Sequence, residues 1–189
     1  MAEMNLFDLP SPFVADWARS LVDTVGGARR ALDIAMGRGR NTLMLAAAGF
    51  RTFGVDVRLE ALQAASHRAR ERGLAISAWC TDLTSCPLPR ERFELIVVSR
   101  YLQRDLFERL RATLVPGGAI LYETFTEAQL ALGRGPSSPH HLLRPGELRS
   151  YFHAFDILFY EEVVEPDALA RLVARKPAAS RLPPTFTVG

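Results

Sequence analysis

The chain predicts an α/β fold, doubly wound around a mostly parallel sheet, and three stretches carry that prediction. Residues 31–36 are an apolar run that feeds a glycine turn, Gly37-Arg38-Gly39, and the turn opens an alanine- and leucine-rich helical stretch. A second apolar run then ends in an acid, Gly54-Val55-Asp56. Phe93-Glu94-Leu95-Ile96-Val97-Val98-Ser99 is almost continuously apolar, the pattern of a strand buried on both faces of a parallel sheet. Residues 155–164 and 168–175, split by Glu165-Pro166-Asp167, read as a closing hairpin.

In chain order, residues 10–25 place Phe13, Val14, Trp17, Leu21 and Val25 at helical spacing, with Ser11 as cap ahead of Pro12. The first strand is expected over 30–36 and a helix over 41–48, stopped by Gly49. A second strand follows over 51–57, then a helix over 59–72 closed by Gly73, and a third strand over 74–82. After the strand at 93–99 comes a helix over 105–114, ended by Val115-Pro116-Gly117-Gly118, and a strand over 119–124. Residues 127–143 mix Gly, Pro, Ser and His without a clean period, and a short helix is expected over 144–152. The proline-rich stretch 177–189 reads as a flexible tail. No repeat or internal boundary interrupts the chain, so residues 1–189 are read as one domain.

Composition narrows the function classes. A net charge of +2 lacks the concentrated basic face of a nucleic-acid binder. Lys176 is the one lysine among 23 basic residues, which reads as coding bias or as arginines kept to hold an anion. Cys80 and Cys86 match no metal site or disulfide framework, so reduced thiols in a cytoplasmic protein are expected. No apolar run approaches the about 18 residues of a membrane span, and no signal peptide is evident.

The glycine turn and the two acids around it carry the chemistry. Gly37 and Gly39 let the backbone turn sharply and approach a ligand closely. The helix opening near Asn41 presents unpaired N–H groups, and Asp56 at a strand end can accept both hydroxyls of a ribose. Thr42 stands where a dinucleotide fingerprint needs its third glycine, which disfavours a nicotinamide or nucleotide-sugar enzyme.

Asp33-x-Ala35-x-Gly37-x-Gly39, with the acid four residues before the first glycine, resembles motif I of class I S-adenosylmethionine-dependent methyltransferases. The family's usual glycine is Ala35 here, which narrows the space beside the methionine moiety. Leu32 to Asn41, Ala47-x-Gly49-Phe50, Leu114-Val115-Pro116-Gly117-Gly118, Tyr122-Glu123-Thr124-Phe125 and Leu142-Leu143-x-Pro145-Gly146-Glu147-Leu148 look like the small bacterial methyltransferases of the tellurite-resistance type. The resemblance runs from about Pro10 to Pro177. It implies a Rossmann-like seven-stranded sheet, mostly parallel, with the closing antiparallel hairpin of the class I methyltransferase fold. It also implies S-adenosyl-L-methionine as cofactor and S-adenosyl-L-homocysteine as product. Asp33, Ala35, Gly37, Gly39 and Asn41 would cradle the methionine end, Asp56 and Val57 the ribose side, Asp82 and Leu83 the adenine, and Ser99 the sulfonium side. The N-terminal helix, within residues 1–27, would cover that site.

The implied reaction is in-line methyl transfer to a small-molecule thiol, hydroxyl or oxyanion, in which positioning contributes most. If a base is needed, Tyr101, His140, His141 and Glu123 are the candidates. His140-His141 equally fits an exposed loop, and Asp82 equally fits a turn cap. Arg100 and Arg104 flank Tyr101 and would clamp an anionic acceptor or lie on a solvated helix start, while Arg40 could bond a loop carbonyl. The alternative function is a catalytically idle binding partner on the same fold. A monomer or weak dimer is expected, with no metal, nucleic acid or membrane among its partners.

Overall fold

The computed structural model describes residues 9–178. Its spine is a seven-stranded sheet in the order β3-β2-β1-β4-β5-β7-β6. In sequence these are β1 Arg30–Ile34, β2 Arg51–Asp56, β3 Ile76–Cys80, β4 Phe93–Ser99, β5 Leu114–Phe125, β6 Asp156–Val163 and β7 Leu169–Arg175. Strands β1 to β5 run parallel, whereas β7 pairs antiparallel with both β5 and β6. The expected hairpin therefore closes the sheet with its second strand inserted inside its first.

Helices α1 Pro12–Leu21 and α2 Arg40–Ala47 cover one face, and α4 Leu106–Thr113 and α5 Glu147–Tyr151 the other. The remaining helix, α3 Leu59–Glu71, follows β2. Strand β4 shows why its sequence is apolar throughout. Leu95 and Val97 enter the cluster under α1 and α2, while Ile96 and Val98 enter the one under α4 and α5. All four are fully buried. On the α4 side Phe107 stacks on Tyr151 with ring centroids 3.8 Å apart. Ser11 caps α1 as its sequence requires, accepting from Val14 N at 3.4 Å with Pro12 at the first helical position.

Several boundaries differ from the sequence reading. The first strand ends at Ile34 because Ala35 takes the left-handed backbone, φ 52°. The helix expected over 10–25 gives way to turns after Leu21. Val115-Pro116-Gly117-Gly118 does not delay β5, which starts at Leu114 opposite Phe93. There Lys176 brackets the glycines, its C=O accepting from Gly117 N at 3.0 Å and its N–H donating to Gly118 O at 2.8 Å. The pairing thus continues past Pro116, at an irregular stretch of the ladder where a missing N–H is tolerated. Within 127–143 two short 3-10 turns form, Glu127–Leu132 and Pro139–His141. Most of the expected tail, from 179 onward, lies outside the described residues, as does the start of the chain to residue 8. No helix among the described residues is long and apolar enough to cross a membrane.

Candidate functional site

Open α/β sheets bind ligands outside the carboxyl ends of their strands, and a cleft of about 400 Å3 lies there. Ala35 and Asp56 line it from the ends of β1 and β2, followed by Val57 and Arg58. Thr81, Asp82 and Leu83 line it from beyond β3, and Arg100 and Tyr101 from beyond β4. A larger cavity, about 590 Å3, sits at the opposite, amino edge of the sheet. It has no acid at a parallel strand's carboxyl end and none of the residues of the glycine turn or its two acids, so the smaller cleft is the candidate site.

Asp56 is the best-fixed group in the cleft. Only 6% exposed, its Oδ2 accepts from Gly37 N at 2.7 Å and its Oδ1 from Arg58 N at 2.9 Å. Two backbone donors hold the carboxylate rigid and leave each oxygen a lone pair for a further donor. The glycine turn above it is left-handed at Gly37, φ 54°, and Gly39, φ 79°. A Cβ at Gly37 would meet only the Arg58 guanidinium, at 3.8 Å, so that side of the turn is open. At Gly39 a Cβ would lie 2.8 Å from Ala65 Cβ, so this glycine lets α2 start against α3. A Cβ at Gly54 would collide with Met36 Sδ, which folds over that strand position.

Asp33 sits beneath this turn rather than in the cleft. Its Oδ2 accepts the Thr42 hydroxyl at 2.6 Å, and burial pushes its carboxyl up to about 7 despite that bond. Asn41 is likewise buried and accepts from Ser11 N at 3.0 Å. Beside it runs a polar network at the ends of β4 and β5. Glu123 Oε1 accepts from Ser11 Oγ at 2.8 Å and Ser99 Oγ at 3.3 Å, while Oε2 accepts from Arg171 Nε at 2.9 Å. Arg40 donates to Ser99 Oγ at 3.1 Å and reaches the Leu9 carbonyl at 3.5 Å. Desolvation, then the nearby Arg100 guanidinium, hold Arg40 below the usual arginine range.

On the far side, exposed Asp82 turns back on its own loop, Oδ1 accepting from Thr84 N at 2.8 Å, and that bond holds its carboxyl low. Leu83 is 5% exposed and Val57 63%, so an apolar wall and an uncovered apolar side chain both line the cleft. Tyr101 donates to Gln103 Oε1 at 2.5 Å. Burial, then the carboxylates of Asp82, Asp105 and Asp56, raise its phenol, so it stays protonated near neutrality.

Arg100 has φ 57°, a conformation fixed by its N–H donating to Glu123 O at 2.7 Å. Its guanidinium pairs with Asp167 at 3.1 Å and lies over the Phe125 ring. Arg104 does not reach the cleft. It grips Glu147 with two bonds of 2.7 and 3.0 Å and Leu142 O at 2.8 Å. His140 and His141 are exposed on their 3-10 turn and line no part of the cleft.

The structure thus gathers Ala35, Asp56, Val57, Asp82, Leu83 and Tyr101 in one cleft, with Gly37 bonded to Asp56 at its edge. Asp33, Gly39, Asn41 and Ser99 support it from behind, and the two histidines stand apart. Arg58, Thr81 and Thr42 were not singled out as site residues in the sequence. Arg58 follows a strand-end acid by two residues, and Thr42 occupies the first turn of the helix after the glycines, so both had a positional signal.

A methyltransferase-domain family model matches residues 31–118. No curated protein matches the chain in sequence. Among solved structures the [4+2]-cyclase SpnF superposes with a TM-score of 0.71 at 19% identity, over 88% of this chain and 80% of that one. TehB from Haemophilus influenzae gives 0.70 at 20% identity, over 88% of this chain but 62% of that one. An S-adenosylmethionine-dependent methyltransferase from Clostridium acetobutylicum gives 0.69 at 16% identity, over 94% of both chains. At such identities the likeness is one of fold. Residues 31–118 thus match the methyltransferase-domain family, and the sheet as a whole has the class I methyltransferase fold.

Proposed function

We propose that the chain is an S-adenosyl-L-methionine-dependent methyltransferase acting on a small molecule and releasing S-adenosyl-L-homocysteine. The observation that carries this reading is Asp56, a buried carboxylate oriented by Gly37 N and Arg58 N at the mouth of the cleft. It suits a ribose diol. Leu83 and Val57 supply apolar surface for a purine, and the exposed carboxylate of Asp82 an acceptor for an amine. The open side of Gly37 leaves room for the methionine end. The cofactor would supply a methyl group activated on a sulfonium.

The protein's part is then to hold and orient. Of the candidate bases, Tyr101 is held protonated, and Glu123 is committed to Arg171 and two serines. An acceptor that brings its own nucleophile, a thiolate or an oxyanion, fits that arrangement. Fixed near-attack geometry can supply roughly 7–11 kcal/mol of the barrier. The bonds from Ser11 to Asn41 and Glu123 support a covering role for α1. The tellurite-resistance branch is supported by the motif resemblance and by the likeness in fold to TehB. Two free thiols fit a cytoplasmic protein.

The second reading, a binder that does not transfer methyl groups, is favoured by the lack of a base and by the fold shared with a [4+2]-cyclase. Isothermal titration with S-adenosyl-L-methionine, S-adenosyl-L-homocysteine and NAD tests the cofactor. Micromolar binding of the first two is expected, weakened on the order of a hundredfold in Asp56→Ala as charge-assisted bonds are lost. Silence toward both in a folded protein, or preference for NAD, would overturn the cofactor reading. Turnover with any acceptor then separates enzyme from binder.

A further inference from the structure

The larger cavity at the amino edge of the sheet is lined by two side chains of opposite charge, Asp156 at the start of β6 and Arg175 at the end of β7. They are register partners across the antiparallel pair. Directly opposed residues on neighbouring strands share a face, with Cβ atoms about 4.5–5.5 Å apart, so an aspartate and an arginine there should close on each other. They do not. The guanidinium turns toward the end of α1, where Nη2 donates to Thr24 Oγ1 at 3.3 Å. Arg175 Nε is buried without a partner and closed to solvent. Among the described residues no ion pair includes Asp156 or Arg175.

The other charges at this edge are already committed. Glu94 takes Arg30 Nη2 at 2.7 Å on one oxygen and Arg30 N at 2.7 Å on the other. Lys176 Nζ donates to Leu114 O at 2.8 Å and stands 3.6 Å from Glu91. One uncommitted cation and one uncommitted anion therefore face a space of about 590 Å3. A simple anion would satisfy Arg175 but meet the Asp156 carboxylate, and a simple cation would satisfy Asp156 but meet the Arg175 guanidinium. The rest of the lining includes Val25, Val115 and Pro116. The wall at Gly27 stays at backbone level, because a Cβ there would come 3.0 Å from Glu94 Oε1.

We propose that this cavity is a second binding site, for an α-amino acid with an apolar side chain. The ligand's carboxylate sits on the Arg175 guanidinium, its ammonium on Asp156, and its side chain along Val25, Val115 and Pro116. The site lies across the sheet from the candidate cleft and does not depend on what that cleft does.

Two-dimensional 1H–15N spectra of the full chain test it, with the Arg175 Nε–H and the Gly26 and Gly27 amides as reporters. L-Leucine should shift all three along one saturable curve. 4-Methylpentanoate, which lacks the ammonium, and isoamylamine, which lacks the carboxylate, should each bind about tenfold more weakly, as expected for one lost charge-assisted contact. Asp156→Asn, at an exposed position, and Arg175→Lys, which keeps the charge but loses the fork, should each weaken leucine to a similar degree, with thermal unfolding confirming that both variants fold. The proposal is overturned if leucine gives no saturable shift, if Asp156→Asn leaves its affinity unchanged, or if 4-methylpentanoate binds as tightly as leucine.

Discussion

Burial of the Asp33 carboxyl should make this protein lose stability as pH rises through neutrality. The carboxyl is 2% exposed, holds the Thr42 hydroxyl, and is pushed from 3.8 up to about 7 chiefly by desolvation. The folded state therefore binds this proton more tightly than the unfolded chain does. Its stabilising contribution is present at acid pH and is lost as pH climbs from the unfolded value toward the folded one. At about 1.4 kcal/mol per unit the full window is worth about 4 kcal/mol, of which about 2–3 kcal/mol falls between about pH 5 and pH 8. Asp33→Asn removes the titration and keeps an amide oxygen for Thr42. Urea unfolding of both proteins across that range should show the variant gaining on the parent by about 2–3 kcal/mol. Taking the difference cancels the other carboxylates. A gap that stays constant with pH would refute the reasoning, since Asp33 would then be ionised throughout.

Three further substitutions probe the architecture around the cleft. Thr42→Val keeps the shape but strips Asp33 of its hydroxyl partner, and urea unfolding at neutral pH should show a loss of about 1–3 kcal/mol. Ala35→Gly should raise stability by up to about 1 kcal/mol, because the residue already holds a left-handed φ of 52°; a clear loss in thermal unfolding would contradict that strain. Glu123→Gln leaves Arg171 with the Glu161 carboxylate alone and loosens Ser11 and Ser99, so about 1–3 kcal/mol should be lost. In hydrogen exchange the first turn of α1 should deprotect before the sheet does, and uniform loss of protection would deny Glu123 its role as anchor of that helix.

Much of the fold could be read because its determinants are local. Ser11-Pro12 specifies a helix start whatever surrounds it, and the structure forms that cap. The apolar run of β4 has to be buried on both faces, and only a central strand offers that. What could not be read depends on partners distant in sequence. Nothing near Pro116 announces that β5 begins at Leu114, because Lys176, from the other end of the chain, continues the pairing there. Gly39 looked like a ligand-facing glycine and also has a packing reason to be one, in Ala65 of α3, which no local pattern reveals.

The same distinction orders the site residues. Asp56, Asp82 and Tyr101 stand at or just past strand ends, and in a parallel sheet with alternating helices that position alone delivers a side chain to the carboxyl edge. Residue type does not say what the side chain then does. Asp82 lines the cleft and at the same time caps its own loop, accepting from Thr84 N. Arg40 takes the loop carbonyl anticipated for it, and Ser99 as well. Arg104 and the two histidines belong to a segment whose path the sequence leaves open. That path is set by Arg104 itself, which bonds Pro139, His140 and Leu142 carbonyls and Glu147, and so carries the histidine turn with α4 and α5 rather than with the cleft. A histidine pair beside a glycine- and proline-rich stretch invites a catalytic reading. Here one arginine, five residues past the end of β4, decides against that placement, and Tyr101 remains as the one phenol facing the cleft, held protonated by its neighbours.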